Sequence, residues 1–291
     1  MTRIAGESSL TMRQLDPDRE WLDEVDRTEP QRLIVIGGDG TLSHVVESLG
    51  ERGWLSRFEI GLVPGGTGND FARSIGAQGV SLWDAYKTAI GSPAVDVDLI
   101  RVTNGRRRTI INAATAGFGG LVAGQVTPED KQRWGAMAYW IAGFSHLASL
   151  PRFSIEIDFL NDTARQFDVF GLAVASGRYV GGGFPVAPDA LLNDGLLNVT
   201  VVPVMPMGEL IAAGVDITLG RHKKTGRVAT FAAKSVRIES QPDLPFSFDG
   251  ESERTGHAEF SVIPSAIRIA CHPDAIAVRK SSRAAELAVL S

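Results

Sequence analysis

The chain has 291 residues, length for about two domains with a full hydrophobic core in each, which excludes a peptide hormone or a small disulfide scaffold. Apolar types make up 44% and charged types 22%, so disorder and fibrous repeats are excluded as well. The net charge of -5 gives no whole-protein attraction to nucleic acid, so no nucleic-acid partner is expected and any anionic ligand must be caught locally. Glycine is in excess, 32 residues, and the excess is clustered. Cys271 stands alone, and the five histidines show no zinc-ligand spacing; with no apolar signal segment in MTRIAGESSL, a reducing cytoplasm is the expected compartment.

Residues 1–31 are polar and acidic, and Leu15, Trp21, Leu22 and Val25 predict a helix over about 16–27. From Arg32 the pattern becomes strand, turn, helix. Leu33 to Ile36 form a buried-type strand, Gly37 to Thr41 a glycine-rich turn, and Leu42, Val45, Val46 and Leu49 a helical stripe. Ile60 to Val63, PGGTGND and Phe71 to Ile75 repeat the pattern, and Ser81 with Asp84 predicts a capping box opening a helix that ends at Gly91. Such units argue for a parallel sheet with helices on its faces.

After Pro93 alternation takes over. Val95, Val97 and Leu99 alternate with Asp96 and Asp98, Asn104-Gly105 predicts a hairpin, and Thr109 to Asn112 its returning strand. Further strands are predicted at 153–159, with a turn at Asn161-Asp162, then at 167–175, 197–204, 228–238, 244–248 and 266–271, interrupted by helices at about 128–149 and 207–219. Within the uncharged run 134–150, Met137, Trp140, Ile141, Phe144 and Leu147 share a stripe, either a half-buried core face or a membrane-touching one. A boundary is placed near residue 93: 1–93 a nucleotide-binding α/β domain, 94–275 a β-rich domain, 276–291 a tail.

Two turns carry the functional signal. Gly37-Gly38-Asp39-Gly40-Thr41 sits between strand and helix, where unpaired N–H groups and the helix dipole favour an anion. It is neither a P-loop nor GxGxxG, and helix capping by Asp39 or Thr41 would explain it alone. Pro64 to Asp70 opens on the same sheet edge one unit later. Capping by Thr67, Asn69 or Asp70 is again an alternative, but two adjacent turns of this glycine density favour a phosphate cradle. Pro188 to Leu197 offers Asp194 and carbonyls suited to Mg²⁺, or a plain Asx turn at Asn193-Asp194-Gly195. Asp249 and Glu251 are two carboxylates in one turn, either able to accept a hydroxyl proton, unless the turn is only an exposed hairpin. Arg221, His222, Lys223, Lys224 and Arg227 form a solvated loop or a patch for an anionic lipid surface.

In order, IGGDGTL, VPGGTGNDFAR, NAATAGFGG, GGGFPVAPDALLNDGLL and SFDGES resemble the bacterial lipid kinases with a diacylglycerol-kinase catalytic domain, especially the YegS-like group, over about residues 11–273. GGDGT alone is shared with NAD kinases; PGGTGNDFAR favours the lipid-kinase branch. The resemblance implies an N-terminal Rossmann-like parallel-sheet domain and a C-terminal antiparallel β-sandwich-like α+β domain, with a cleft between them. It implies ATP contacts at Thr11, at Gly37, Gly38, Asp39, Gly40, Thr41, Leu42 and Ser43, and at Thr67 with Asn69. It further implies Glu251 as proton acceptor, and a structural Mg²⁺ on Asp194 and the carbonyls of Leu191 and Leu196. Asp39 would organise nucleotide Mg²⁺ and phosphate. The expected activity is ATP-dependent phosphorylation of a membrane lipid hydroxyl, as in diacylglycerol or phosphatidylglycerol, with transient membrane contact. Phe118, Phe184 and the 128–149 stripe would line an acyl slot or belong to the core. The alternatives are a kinase of a soluble hydroxyl compound and a non-catalytic nucleotide- or lipid-binding regulator. Family members begin with a strand and a glycine-containing loop, for which the residues before Arg32 hold no apolar run. The readings are a start downstream of the true one, a degenerate ATP site, a partial substitute in Ile4 and Leu10 to Met12, or a homodimer partner completing the sheet edge.

Overall fold

The computed structural model describes residues 31–117, 151–159, 163–271 and 275. The helices predicted at 16–27 and 128–149, the Asn161-Asp162 turn, Thr11, Phe118 and the 276–291 tail lie outside them.

The first units follow the periodicity. Strand β1 (Gln31–Gly37) leads into α1 (Asp39–Glu51), β2 (Phe58–Pro64), the short α2 (Asp70–Ser74) and α3 (Leu82–Gly91). The capping box forms at α3, where Ser81 Oγ accepts the Asp84 N–H at 3.1 Å. β1 and β2 pair in parallel. Leu42, Val46 and Leu49 of α1 and Phe71 of α2 close one core with Ile60 and Leu62 of β2, while Ala85 and Ala89 of α3 pack with Val63 in a separate cluster. A Cβ on Gly61 would stand 2.3 Å from the Ala89 carbonyl oxygen, so glycine is what lets α3 lie against β2. Ile36, predicted in a buried strand, is 60% exposed because β1 ends the strand order.

From β3 (Ala94–Thr103) onward pairing is antiparallel apart from one contact. β4 (Arg107–Ile110), β5 (Ala113–Gly117), β6 (Phe153–Asp158), β7 (Arg165–Ala175) and β8 (Leu197–Pro203) follow. Then come α4 (Met207–Thr218), the single turn α5 (His222–Thr225), β9 (Ala229–Ala233), β10 (Ser235–Phe248) and β11 (Glu251–Ala270). A second core fills this half, with Phe246, Phe248 and Phe260 packed against Ile155, Val169 and Val199.

Two expectations are corrected. Parallel pairing is confined to β1–β2 and a short β2–β11 contact, so the described residues form a mainly antiparallel sheet in place of a separate Rossmann-like parallel one. The reason is β11, whose 20 residues pair with β10 at one end and with β2 and β3 at the other. The strand predicted over 228–238 is two strands divided at Lys234: β9 pairs β8, and β10 turns to β6 and β11. Local pattern does not distinguish these, because it says which face of a strand can be buried and not which strand it pairs with.

Candidate active site

The two glycine turns meet backbone to backbone. A Cβ on Gly66 would lie 2.5 Å from Gly38 Cα, and one on Gly37 would overlap the Thr41 side chain, so glycine is required for the approach. No side chain caps α1, so its first N–H groups face this junction with the positive end of the dipole. The local capping explanation for the first turn is therefore replaced: Asp39 caps the other helix. Its Oδ2 accepts the Asp70 N–H at 2.9 Å and its Oδ1 the Phe71 N–H at 3.0 Å, which locks the second turn to the first.

Other predicted contacts divide by role. The Asn69 side chain closes its own turn on Gly66, accepting its N–H at 3.1 Å and donating to its carbonyl at 2.5 Å, with the Asn69 backbone at φ 50°. Thr67 and Gly40 are exposed at the mouth. Leu42 is fully buried in the core, so its side chain is unavailable to a ligand.

Asp70 is a node that capping arguments alone did not single out. Its buried carboxylate accepts the Gly182 N–H at 2.9 and 3.1 Å, which brings the GGG turn of residues 181–183 to the junction. Burial pushes its pKa up to about 6 against the Gly182 hydrogen bond, and the Asp39 charge adds to the rise. Arg73 lies against Gly183 and stacks on Tyr179, 5.4 Å from the ring centroid. Phe184 is buried beside this turn, in a bridge with Val180.

The β10–β11 hairpin enters from the other core. Asp249 accepts N–H groups from Ile111 (2.8 Å), Asn112 (3.1 Å) and Ala113 (2.9 Å), and Ser43 Oγ donates to it at 3.1 Å. Ser43, implied as a nucleotide contact, thus has its hydroxyl on the hairpin and fixes that hairpin to α1. Burial raises the Asp249 pKa to about 6 in spite of these donors. Glu251, two residues on, is 68% exposed and stands 3.8 Å from Arg106 and 3.9 Å from Arg108. Arg108 is the surprise. Its side chain is only 2% exposed, pairs with Glu253, and lies 4.3 Å over the Phe248 ring. Sequence reasoning passed it over within the run 106–108, although alternation puts it on the inward face with Ile110.

The Leu191 to Leu196 turn is held by Asp98, which accepts N–H groups from Gly195 at 2.6 Å and from Ser265 at 2.8 Å. Asp194 Oδ1 accepts the Leu196 N–H at 3.0 Å. Among the described residues no group of three or more His, Cys, Asp or Glu side chains surrounds a metal position. One carboxylate with main-chain carbonyls is still a hard-oxygen donor set of the type Mg²⁺ takes, so the residues fit it in donor chemistry.

Raised folded-state pKa values have a signed consequence. A carboxyl that binds its proton more tightly folded than unfolded stabilises the fold at low pH, and that contribution is lost as pH rises through about 6. The stability of the native chain relative to Asp249→Asn should therefore fall between about pH 4 and about pH 6. Thermal unfolding of both proteins across that range checks it, and a constant difference would refute it.

Comparisons with known proteins agree with this geometry. Residues 7–102 match the diacylglycerol kinase catalytic domain, and residues 112–271 match the YegS C-terminal NAD kinase beta sandwich-like domain. A Klebsiella pneumoniae protein named "Probable lipid kinase YegS-like" is 31% identical over 87% of this chain and 82% of its own. A Xanthomonas oryzae protein of the same name is 34% identical over 81% of this chain and 77% of its own. The chain belongs to the YegS-like lipid kinase family. Its enzyme class is that of an ATP-dependent kinase. A crystal structure from Bacillus anthracis, named as a "putative diacylglycerol kinase", shares the fold with a TM-score of 0.72 at 24% identity, covering 88% of this chain and 80% of that one. In this YegS-like kinase the junction draws on both family matches, Asp39, Ser43 and Asp70 from the first and Gly182 and Asp249 from the second. Among the described residues no helix is long and apolar enough to cross a membrane.

Proposed function

We propose that the protein transfers the γ-phosphoryl group of MgATP to a hydroxyl of a membrane lipid such as diacylglycerol or phosphatidylglycerol. The observation that carries this reading is the backbone contact of the two glycine turns with the DGE hairpin tied to the same helix through Ser43 and Asp249. Residues 1–93 take the nucleotide side, 94–275 the acceptor side, and 276–291 are a tail. The N–H groups of Gly38 to Thr41, Thr67 at the mouth, and Thr11 receive the nucleotide. The phosphate charge is met by main-chain N–H groups and the α1 dipole, since the turn has no P-loop lysine.

Asp249 has both oxygens occupied by four donors, which makes it the anchor of the hairpin. Glu251, exposed beside it, is the proton acceptor. In the step, the lipid hydroxyl oxygen bonds to the γ-phosphorus, the bond to the β-bridging oxygen breaks, ADP leaves, and the hydroxyl proton passes to the Glu251 carboxylate. Asp39 keeps the two turns aligned through Asp70 and Phe71 and would help to hold the nucleotide's Mg²⁺, whose charge would be set against that of the phosphates. Asp194 with the carbonyls of Leu191 and Leu196 would hold a structural Mg²⁺, whose charge would tie together the oxygens of the 191–196 turn. Alignment and charge neutralisation supply most of the rate.

The test is transfer of labelled γ-phosphate to lipid in mixed micelles of diacylglycerol or phosphatidylglycerol, with Asp39→Ala alongside. Lipid-dependent product that falls at least ~100-fold in the variant supports the reading. Transfer to water-soluble alcohols alone would favour a soluble acceptor, and ATP binding without any transfer would favour a regulator.

A further inference from the structure

We infer that the outer face of α4, together with the basic turn after it, is the surface by which the protein docks on an anionic lipid bilayer. The inference rests on the lipid-acceptor reading and deepens it, because it places a membrane contact that the active-site geometry does not require.

α4 is anchored on one side only. Ala213 and Ile217 pack against Val228 and Met205, and Leu210 is buried. On the other side Met207, Ile211, Val215 and Leu219 recur every four residues, one per turn, and are 39–60% exposed. Gly208 and Thr218, also exposed, share this side, so it carries no charge. Glu209, the exposed charge of the helix, sits two positions from Met207 and leaves from another side. The helix is about 18 Å long, enough for a continuous apolar ridge. A soluble helix normally turns such a stripe inward.

The chemistry at the end of the ridge selects the occupant. Immediately after Leu219 come Arg221, Lys223, Lys224 and Arg227, all exposed, whereas His222 is buried. The buried Asp216 accepts from Arg221 at 2.8 Å and from Arg227 at 2.6 Å, and Asp189 pairs with Lys223 at 3.1 Å. Four cations against two carboxylates leave local positive charge on a chain whose net charge is -5. A second copy docking on this face about a two-fold axis would bring like charges together; anionic headgroups complement them, with the ridge entering the acyl boundary. The surface also adjoins the active site. Gly220 packs on Pro185 and Pro188, in the segment whose Gly182 is bonded to Asp70 at the phosphate junction.

The test compares the native chain with Val215→Glu/Leu219→Glu and with Lys223→Glu/Lys224→Glu. Each is sedimented with vesicles of phosphatidylcholine alone or mixed with phosphatidylglycerol. The native chain should bind the mixed vesicles and not the neutral ones; Lys223→Glu/Lys224→Glu should lose at least roughly 30-fold in partitioning, about fivefold for each of the two basic residues removed, and Val215→Glu/Leu219→Glu should also lose binding, because it puts two charges on the ridge that enters the acyl boundary. Transfer to a water-soluble short-chain diacylglycerol, measured in parallel, should be unchanged. Equal sedimentation of variants and native chain overturns the docking surface, as does a native dimer that the apolar variant dissolves without any vesicle binding. The two readings fail separately: variants that lose vesicle binding while the native chain phosphorylates no lipid refute only the lipid acceptor, and variants that bind vesicles as well as a lipid-phosphorylating native chain refute only the docking face.

Discussion

Glu251→Gln should lower kcat by ~10²–10⁴-fold while leaving the KM for MgATP near its native value. The amide keeps the size and exposure of Glu251 but cannot take a proton, whereas the nucleotide contacts lie on α1 and the two glycine turns, which the substitution leaves intact. Asp249→Asn is the informative comparison. It puts an amide NH₂ where the Asp249 carboxylate accepts from Ile111, Asn112, Ala113 and Ser43, so stability and activity should fall together. Steady-state kinetics with lipid acceptor, read beside unfolding curves, separate the two. A Glu251→Gln protein with native kcat would move the proton acceptor elsewhere and leave the hairpin a structural element.

Gly66→Ala should raise the KM for MgATP at least about tenfold and destabilise the fold by about 1–3 kcal/mol. The added methyl would sit 2.5 Å from Gly38 Cα and 3.0 Å from Asn69 Oδ1, and neither neighbour can give way easily. Gly38 belongs to the turn that opens α1, and the Asn69 side chain is held by both main-chain groups of Gly66. The turns must therefore separate, which misaligns the N–H groups that face the phosphates. Gly91→Ala, at the end of α3 with open space around it, is the control and should be close to neutral. If Gly66→Ala binds nucleotide as the native protein does, the backbone contact is not what forms the cradle.

Local signals in the chain carried far in places. Period and punctuation located β1, α1, β2 and α3 to within a few residues, because each is decided by which face its own apolar residues can bury. The glycine turns were legible for the same reason, since glycine density between a strand and a helix is itself a conformational statement. The roles within the site were not. Asp39 also holds α2, Ser43 holds the hairpin, and Arg108 enters a site that no spacing announced. Each of these contacts reaches a partner more than 30 positions away, and sequence spacing carries no distance across such a gap.

What the sequence determined by itself is the type of the first elements, β1, α1, β2 and α3, the two glycine-rich turns between them and, through five ordered motifs, the family. Tertiary structure alone decided that one 20-residue strand joins both cores, that Asp249 is the buried anchor and Glu251 the exposed carboxylate beside it, and that the α4 stripe faces outward. The physical reason is common to all three. Strand partners, burial of a charge and the free side of an amphipathic helix are set by what packs against a segment, and equally apolar or equally acidic stretches differ in nothing else.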